Sequence, residues 1–153
     1  MANYKKTLKL NHTDAAYIAG IIDGEGTISL SRKHKSDNRQ LVISISNTER
    51  QLLDYVIQIV GAGKLTNKKT SKDMHTPSFT YSITNRQALD LLEQIKPYLK
   101  TYKFSRAELV LSGYIRLTPR NGKFNDNILI EREDFINKFF RLSPEAYINN
   151  QVF

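Results

Sequence analysis

Cysteine is missing from this 153-residue chain. That removes a disulfide framework and any thiolate metal site, and it fits a reducing compartment. Histidine is scarce. His12, His34 and His75 lack metal-ligand spacing, and no Ser/His/Asp arrangement can be argued from the sequence. No apolar run approaches the roughly 18 residues that a membrane span needs. The first ten residues are basic, with Lys5, Lys6 and Lys9, but have no apolar signal core. They read as a flexible arm, and the protein as intracellular rather than secreted, with no membrane partner. Gly61 and Gly63 do not form a nucleotide-binding loop, because they follow a helical pattern where that fingerprint follows a strand. Low-complexity segments are absent. The length and the 40% hydrophobic content suit one domain, residues 1–153, with a sizeable core.

Acidic residues are also in short supply. Fifteen Asp and Glu face 23 Lys and Arg, for a net charge of +8 and a pI near 9.7. Such a balance points to a polyanionic partner, nucleic acid first. The cations cluster: Arg32, Lys33, Lys35 and Arg39; then Lys64, Lys68, Lys69 and Lys72; then Lys100, Lys103 and Arg106. The first two clusters fall in predicted hairpins.

Periodicity predicts a helix starting near Asn11 to Asp14 and running to about Asp23, with Asn11 or Thr13 as its cap. Strands follow over 27–33 and 39–47, each with alternating apolar and polar faces. A helix is predicted from Thr48 to Val60, capped by Asn47 or Thr48, then strands over 64–68 and 78–84 joined by a basic turn over 69–75. Asn85 is the expected cap of a helix from Arg86 to Lys96, which Pro97 ends. Further helices are predicted over 104–115 and 131–140, with a loop over 118–127. The segment from Pro144 onward carries no clear pattern. Strand phase places Ser29, Ser31, Lys33, Gln40, Ser44, Ser46, Thr66, Lys68, Thr80 and Ser82 opposite the apolar face, with Lys35 and Arg39 in the adjoining turn. Gln, Lys, Ser and Thr suit base edges, while cations at turns suit phosphates. These twelve are the candidate nucleic-acid contacts, although any solvated hairpin shows a similar face.

One stretch organises the chain: Tyr17 to Gly26, YIAGIIDGEG. Ala16, Gly20 and Gly24 recur every four residues, so they share one helix face almost without side chains. Such a face suits close approach of another backbone. Asp23 and Glu25 stand on either side of Gly24 in what reads as an acidic turn after the helix. By composition alone the same glycines also suit a helix end and the start of a hairpin.

Ile18 to Gly26, IAGIIDGEG, resembles the signature motif of the LAGLIDADG homing endonucleases, with Ile for Leu, Gly for Ala and Glu for Asp. The resemblance extends over about residues 13–113. It implies an α+β fold: an αββαββα core whose four-stranded antiparallel saddle lies across a DNA major groove. The resemblance does not specify the tail, which is read as a C-terminal helical extension of the same domain over about 114–153. The activity it implies is site-specific hydrolysis of double-stranded DNA at a long pseudo-palindromic site. With one motif per chain, a homodimer is implied, its seam formed by Ala16, Gly20 and Gly24.

The site residues follow from the same resemblance. Glu25 is the implied metal ligand, with the backbone carbonyl of Gly24 beside it, for Mg²⁺ or Mn²⁺. Asp23 is better read as a structural acid that hydrogen-bonds backbone amides. Asn47 matches a polar position that orients solvent, though an Asn there also suits a helix cap. Lys103 is the implied active-site lysine; a solvated lysine is the plainer alternative, and one insertion would favour Lys100 instead. Glu25, Asn47 and Lys103 are therefore the catalytic candidates. The alternatives to cleavage are an intron RNA maturase, with intron RNA as a partner, and a non-cleaving DNA-binding protein on the same scaffold. Either way the protein is expected with the host DNA, in cytoplasm, nucleoid or organelle.

Overall fold

The computed structural model describes residues 4–68 and 76–151. The basic turn expected over 69–75, with Lys69, Lys72 and His75, lies outside the described residues. The chain divides into two compact units, Met1–Leu99 and Lys100–Phe153.

The first unit runs α1 (His12–Glu25), β1 (Gly26–Ser31), β2 (Gln40–Asn47), α2 (Arg50–Val60), β3 (Lys64–Lys68), β4 (Ser78–Thr84) and α3 (Asn85–Ile95), with a 3-10 turn over Lys96–Tyr98. The αββαββα order is thus contained in residues 1–99, whereas the expected core limit near 113 also takes in the first helix of the second unit. The four strands form one antiparallel sheet in the order β1-β2-β4-β3. Ile28, Ile43 and Ile83 stand in one cross-strand row, and Gly26, Ile45, Tyr81 and Leu65 in another. Alternation puts Ile28, Leu30, Leu41, Ile43, Ile45, Tyr81 and Ile83 on one face, all buried, and α1, α2 and α3 lie against the sheet. Each fully buried Ile or Leu contributes about 1.5–3 kcal/mol. Helices on one face leave the other open, as alternating strands allow.

Several boundaries differ from expectation, each for a local reason. Helix α1 begins where predicted, with the Asn11 side chain accepting from Asp14 N at 2.8 Å. It continues through Glu25, so the two acids occupy its last turn rather than a turn beyond it. Gly26 ends it with φ −94, an extended backbone, and a Cβ there would sit 2.8 Å from Ile22 Cα. Glycine is needed at this point so that β1 can fold back tightly on the helix. Strand β1 stops at Ser31, so Lys33 belongs to the hairpin turn, as do Lys35 and Arg39. Helix α2 starts at Arg50 and has no side-chain cap. Asn47 is still paired in β2, opposite Phe79. Asn85 opens α3 in the left-handed region, φ +53, instead of capping it.

The amino-terminal segment is not a flexible arm. Leu8 N donates to Val60 O, Leu10 N to Gln94 Oε1, Gln87 Nε2 to the Lys5 carbonyl and Tyr4 Oη to Asp90 Oδ1. Two glutamines and an aspartate of α3 thus satisfy the backbone and the tyrosine of this segment, while Lys5, Lys6 and Lys9 stay exposed.

The second unit contains α4 (Tyr102–Gly113), α5 (Asp126–Arg141) and α6 (Pro144–Gln151). Helix α4 starts two residues earlier than predicted because Thr101 caps it. Helix α5 starts five residues earlier, because Asn125 accepts from Ile128 N at 2.8 Å. The terminal segment without a clear pattern is α6. Two arginines are enclosed here. Arg132 is buried, donates to Leu117 O and Thr118 Oγ1, and lies 5.5 Å from the Phe124 ring centre. Arg106 donates to Leu142 O and lies over Phe139 at 4.6 Å and Tyr102 at 5.0 Å. Burial lowers the pKa of both guanidinium groups.

Candidate active site and nucleic-acid interface

Helix α1 buries one face and bares the other. Ala15, Ile18, Ala19 and Ile22 are buried, while Ala16, Tyr17, Gly20 and Gly24 are exposed. A Cβ added at Gly20 or Gly24 would meet nothing within 4 Å. The fold of one chain therefore does not require glycine at either position, in contrast to Gly26. Beside this face, Tyr17 and Tyr55 stack edge to face with ring centres 5.8 Å apart, and Tyr55 Oη donates to Asp14 Oδ1 at 2.6 Å. That hydrogen bond is the main reason the Tyr55 pKa is raised. Sequence reading missed this cluster, because Tyr55 lies 41 residues from its carboxylate.

At the end of the bare face stands Glu25, exposed. The Asn47 Nδ2 donates to its Oε2. Asn47 Oδ1 in turn accepts from Glu49 N at 2.7 Å. A backbone N–H can only donate, so this second bond sets which end of the amide faces Glu25. The end of β2 thus holds the carboxylate at the end of α1. Asn47 does not cap α2 in the manner expected: its oxygen bonds the N–H of Glu49, the residue just before the helix, and its nitrogen serves Glu25. Asp23 is half-buried in the same helical turn, and Gly24 separates the two acids.

Lys103 lies in the first turn of α4, in the second unit, where Thr101 Oγ1 accepts from its backbone N at 3.2 Å. It is buried, and its Nζ lies 5.8 Å from the Tyr102 ring centre. Lys100 is exposed. The description of a solvated lysine thus fits Lys100 and not Lys103.

The open face of the sheet carries the strand residues expected there: Ser29, Ser31, Gln40, Ser44, Ser46, Thr66, Lys68, Thr80 and Ser82, none of them buried. Register adds Thr27, Lys64, Ser78 and Thr84, which the sequence reading omitted. Two cross-strand hydroxyl pairs lie here, Thr27 with Ser44 and Ser46 with Thr80, each at 2.7 Å. Beyond Ser31 the hairpin turn braces itself. Arg39 Nη1 donates to Leu30 O, Arg32 Nη1 to Lys35 O, and His34 N to Asp37 Oδ2. Arg39 is therefore a brace of the hairpin, while Lys33 and Lys35 are exposed on it.

The exposed face of α1 thus ends in a carboxylate held by Asn47, in the same unit as the polar face of the antiparallel sheet. A profile of the LAGLIDADG endonuclease family matches residues 18–109, well over half of the chain, and the chain belongs to that family. It is 28% identical over 119 residues to the intron-encoded DNA endonuclease ai2b of Dictyostelium discoideum, covering 77% of this chain and 45% of that protein. It is 30% identical over 150 residues to the intron-encoded DNA endonuclease aI3 of Saccharomyces cerevisiae, covering 88% and 34%. The chain thus spans less than half the length of these relatives. Among solved structures it resembles the homing endonuclease I-CvuI in complex with DNA, with a TM-score of 0.69 and 22% identity, covering 88% of this chain and 86% of that one. It also resembles the LAGLIDADG meganuclease I-AabMI bound to uncleaved DNA, with a TM-score of 0.58 and 25% identity, but there it covers 87% of this chain and only 43% of the other.

Proposed function

We propose that this chain is one half of a site-specific, metal-dependent DNA endonuclease, active as a homodimer on a long pseudo-palindromic duplex. The observation that carries this reading is the bare face of α1, exposed at Gly20 and Gly24, running without interruption into Glu25. Two such faces pressed together bring two carboxylates to the dyad, one for each DNA strand, and a two-fold protein calls for a two-fold target.

The Glu25 carboxylate and the neighbouring Gly24 carbonyl are hard oxygen donors, which Mg²⁺ or Mn²⁺ accepts. Among the described residues no three His, Cys, Asp or Glu gather around a metal site. Further donors would then be the second copy, the scissile phosphates and water. A divalent ion there would supply an activated water and charge stabilisation at the phosphate. Asn47 holds the Glu25 carboxylate in place, and Asp23 serves the structure of the turn. Lys103 is retained as the catalytic cation, a role the resemblance implies; Lys103→Met should then lose cleavage and keep binding. The polar sheet face receives the DNA, and the protein works wherever the host DNA is. An intron-encoded origin rests on the names of the relatives, and a maturase role on intron RNA rests on the sequence resemblance alone.

The test separates cutting from binding. Glu25→Gln should bind duplex DNA in Ca²⁺ as the parent does and fail to cut it in Mg²⁺. Cleavage at the parental rate by that variant would end this mechanism, and absence of cleavage by the parent on any duplex pool would favour the non-cleaving alternative.

A further inference from the structure

We infer that Arg106 is a positioning residue: by gripping the Tyr102 ring from the end of α5, it sets the direction of the Lys103 ammonium, so that the C-terminal helices govern the rate of cleavage. The inference rests on the reading of Lys103 as the catalytic cation and adds what holds that cation in place.

Helix α4 carries all three residues within its first five positions. Tyr102 and Arg106 are four apart, and Lys103 and Arg106 three apart, so both meet Arg106 on one side of the helix. The Tyr102 ring is shared between the two cations. Lys103 Nζ lies 5.8 Å from its centre, and the Arg106 guanidinium carbon 5.0 Å. Both distances are within reach of a cation–π attraction. Lys103 is buried, yet its flexible four-carbon stem allows many directions for the charge. A ring fixed beside that stem restricts them.

In the other direction Arg106 reaches α5. Its Nε donates to the Leu142 carbonyl at 2.8 Å, and its guanidinium carbon lies 4.6 Å from the Phe139 ring centre and 5.8 Å from that of Phe140. Leu142 ends α5, where the helix carbonyls favour a cation. Phe139 is fully buried, so the anchor at this end is firm. Joining two helices requires no charge: an apolar side chain would fill the space without taking a cation out of water. A guanidinium adds what an apolar chain lacks, a planar fork fixed by a hydrogen bond and by aromatic rings. The fork ties the rotation of the Tyr102 ring to the end of α5, and the ring in turn limits where Lys103 Nζ can go.

The experiment uses a duplex that the parent selects from a randomised pool. Affinity is measured in Ca²⁺ and single-turnover cleavage in Mg²⁺ at saturating protein, for the parent, Arg106→Met, Arg106→Lys, Tyr102→Leu, Tyr102→Phe and Lys103→Met, with circular dichroism to verify folding. Arg106→Met and Tyr102→Leu should keep the parental affinity and lower the cleavage rate by about 10–100-fold, since misplacement by about 1 Å suffices for the upper figure. Tyr102→Phe keeps the ring and should keep the rate. Arg106→Lys keeps a cation and one donor, and should recover part of it. A residue that merely joined α4 to α5 would weaken affinity and rate together or leave both intact, and the conservative variants would not stand apart; either result overturns the inference. Should Arg106→Met not fold, the contrast between Tyr102→Leu and Tyr102→Phe decides. If folded Lys103→Met cuts at the parental rate, the reading of Lys103 falls, a result distinct from a lysine that matters beside an arginine that does not.

Discussion

At the scale of single residues, the bond between Asn47 and Glu25 makes a definite claim. Asn47→Ala removes the group that holds the carboxylate; if Glu25 is the metal ligand proposed above, cleavage and Ca²⁺ affinity should fall together, by about 10–100-fold. Titration calorimetry on the protein–DNA complex measures the second quantity, and excess metal should restore part of the first. Glu25 is legible in the sequence because nine consecutive residues fit one pattern. Its bond to Asn47 is not, because it joins residues 22 apart through the meeting of a strand end and a helix end. Tyr81 supports a prediction about pH. Its phenol is buried, donates to Ala62 O at 2.7 Å, and has its pKa raised by that burial. The folded state favours the protonated form, so this contribution to stability is whole below the unfolded value of about 10 and is lost as pH rises toward the folded one. Urea midpoints of the parent should therefore fall above about pH 10, and Tyr81→Phe should weaken that fall while costing about 1 kcal/mol at neutral pH through the lost hydrogen bond.

At the scale of elements, α1 decides between a seam and a solvent face. Nothing in one chain opposes a methyl group at Gly20, and Ala is favoured over Gly in a helix by about 1 kcal/mol. If α1 meets water, Gly20→Ala should raise the melting temperature. If two copies of α1 meet, Gly20→Leu should separate them, and sedimentation should show a single chain where the parent shows two. We expect the second outcome. The sequence shows the stripe of small residues clearly and misplaces its end. Gly24 and Gly26 read as stop signals, yet α1 runs through the first, and the second serves close packing against Ile22 rather than a left-handed turn. The strands are legible because their alternation is strict. Helix α5 is only partly so, because its start depends on the Asn125 cap ahead of a stretch read as loop. The enclosure of Arg106 and Arg132 by aromatic rings leaves no periodic trace.

At the scale of the whole molecule, the net charge of +8 makes binding a function of salt. The logarithm of affinity should fall linearly with the logarithm of salt concentration, with a slope of about 0.9 for each phosphate neutralised. Replacing exposed Lys33 or Lys68 should reduce that slope by about one for each phosphate left without its lysine in the complex. Charge of this kind is legible from composition. The division of the chain at Leu99 is not, since the resemblance continues past it, and compactness depends on long-range packing that no local pattern reports. The continuity of α1 has one more consequence. Because Glu25 is part of the same helix as Gly20 and Gly24, in the proposed dimer the distance between the two nicks would be set by how closely the two helices approach. The proposed seam would then fix the length of the single-stranded overhang, and Gly24→Ala should alter the stagger of the ends before it alters their sequence.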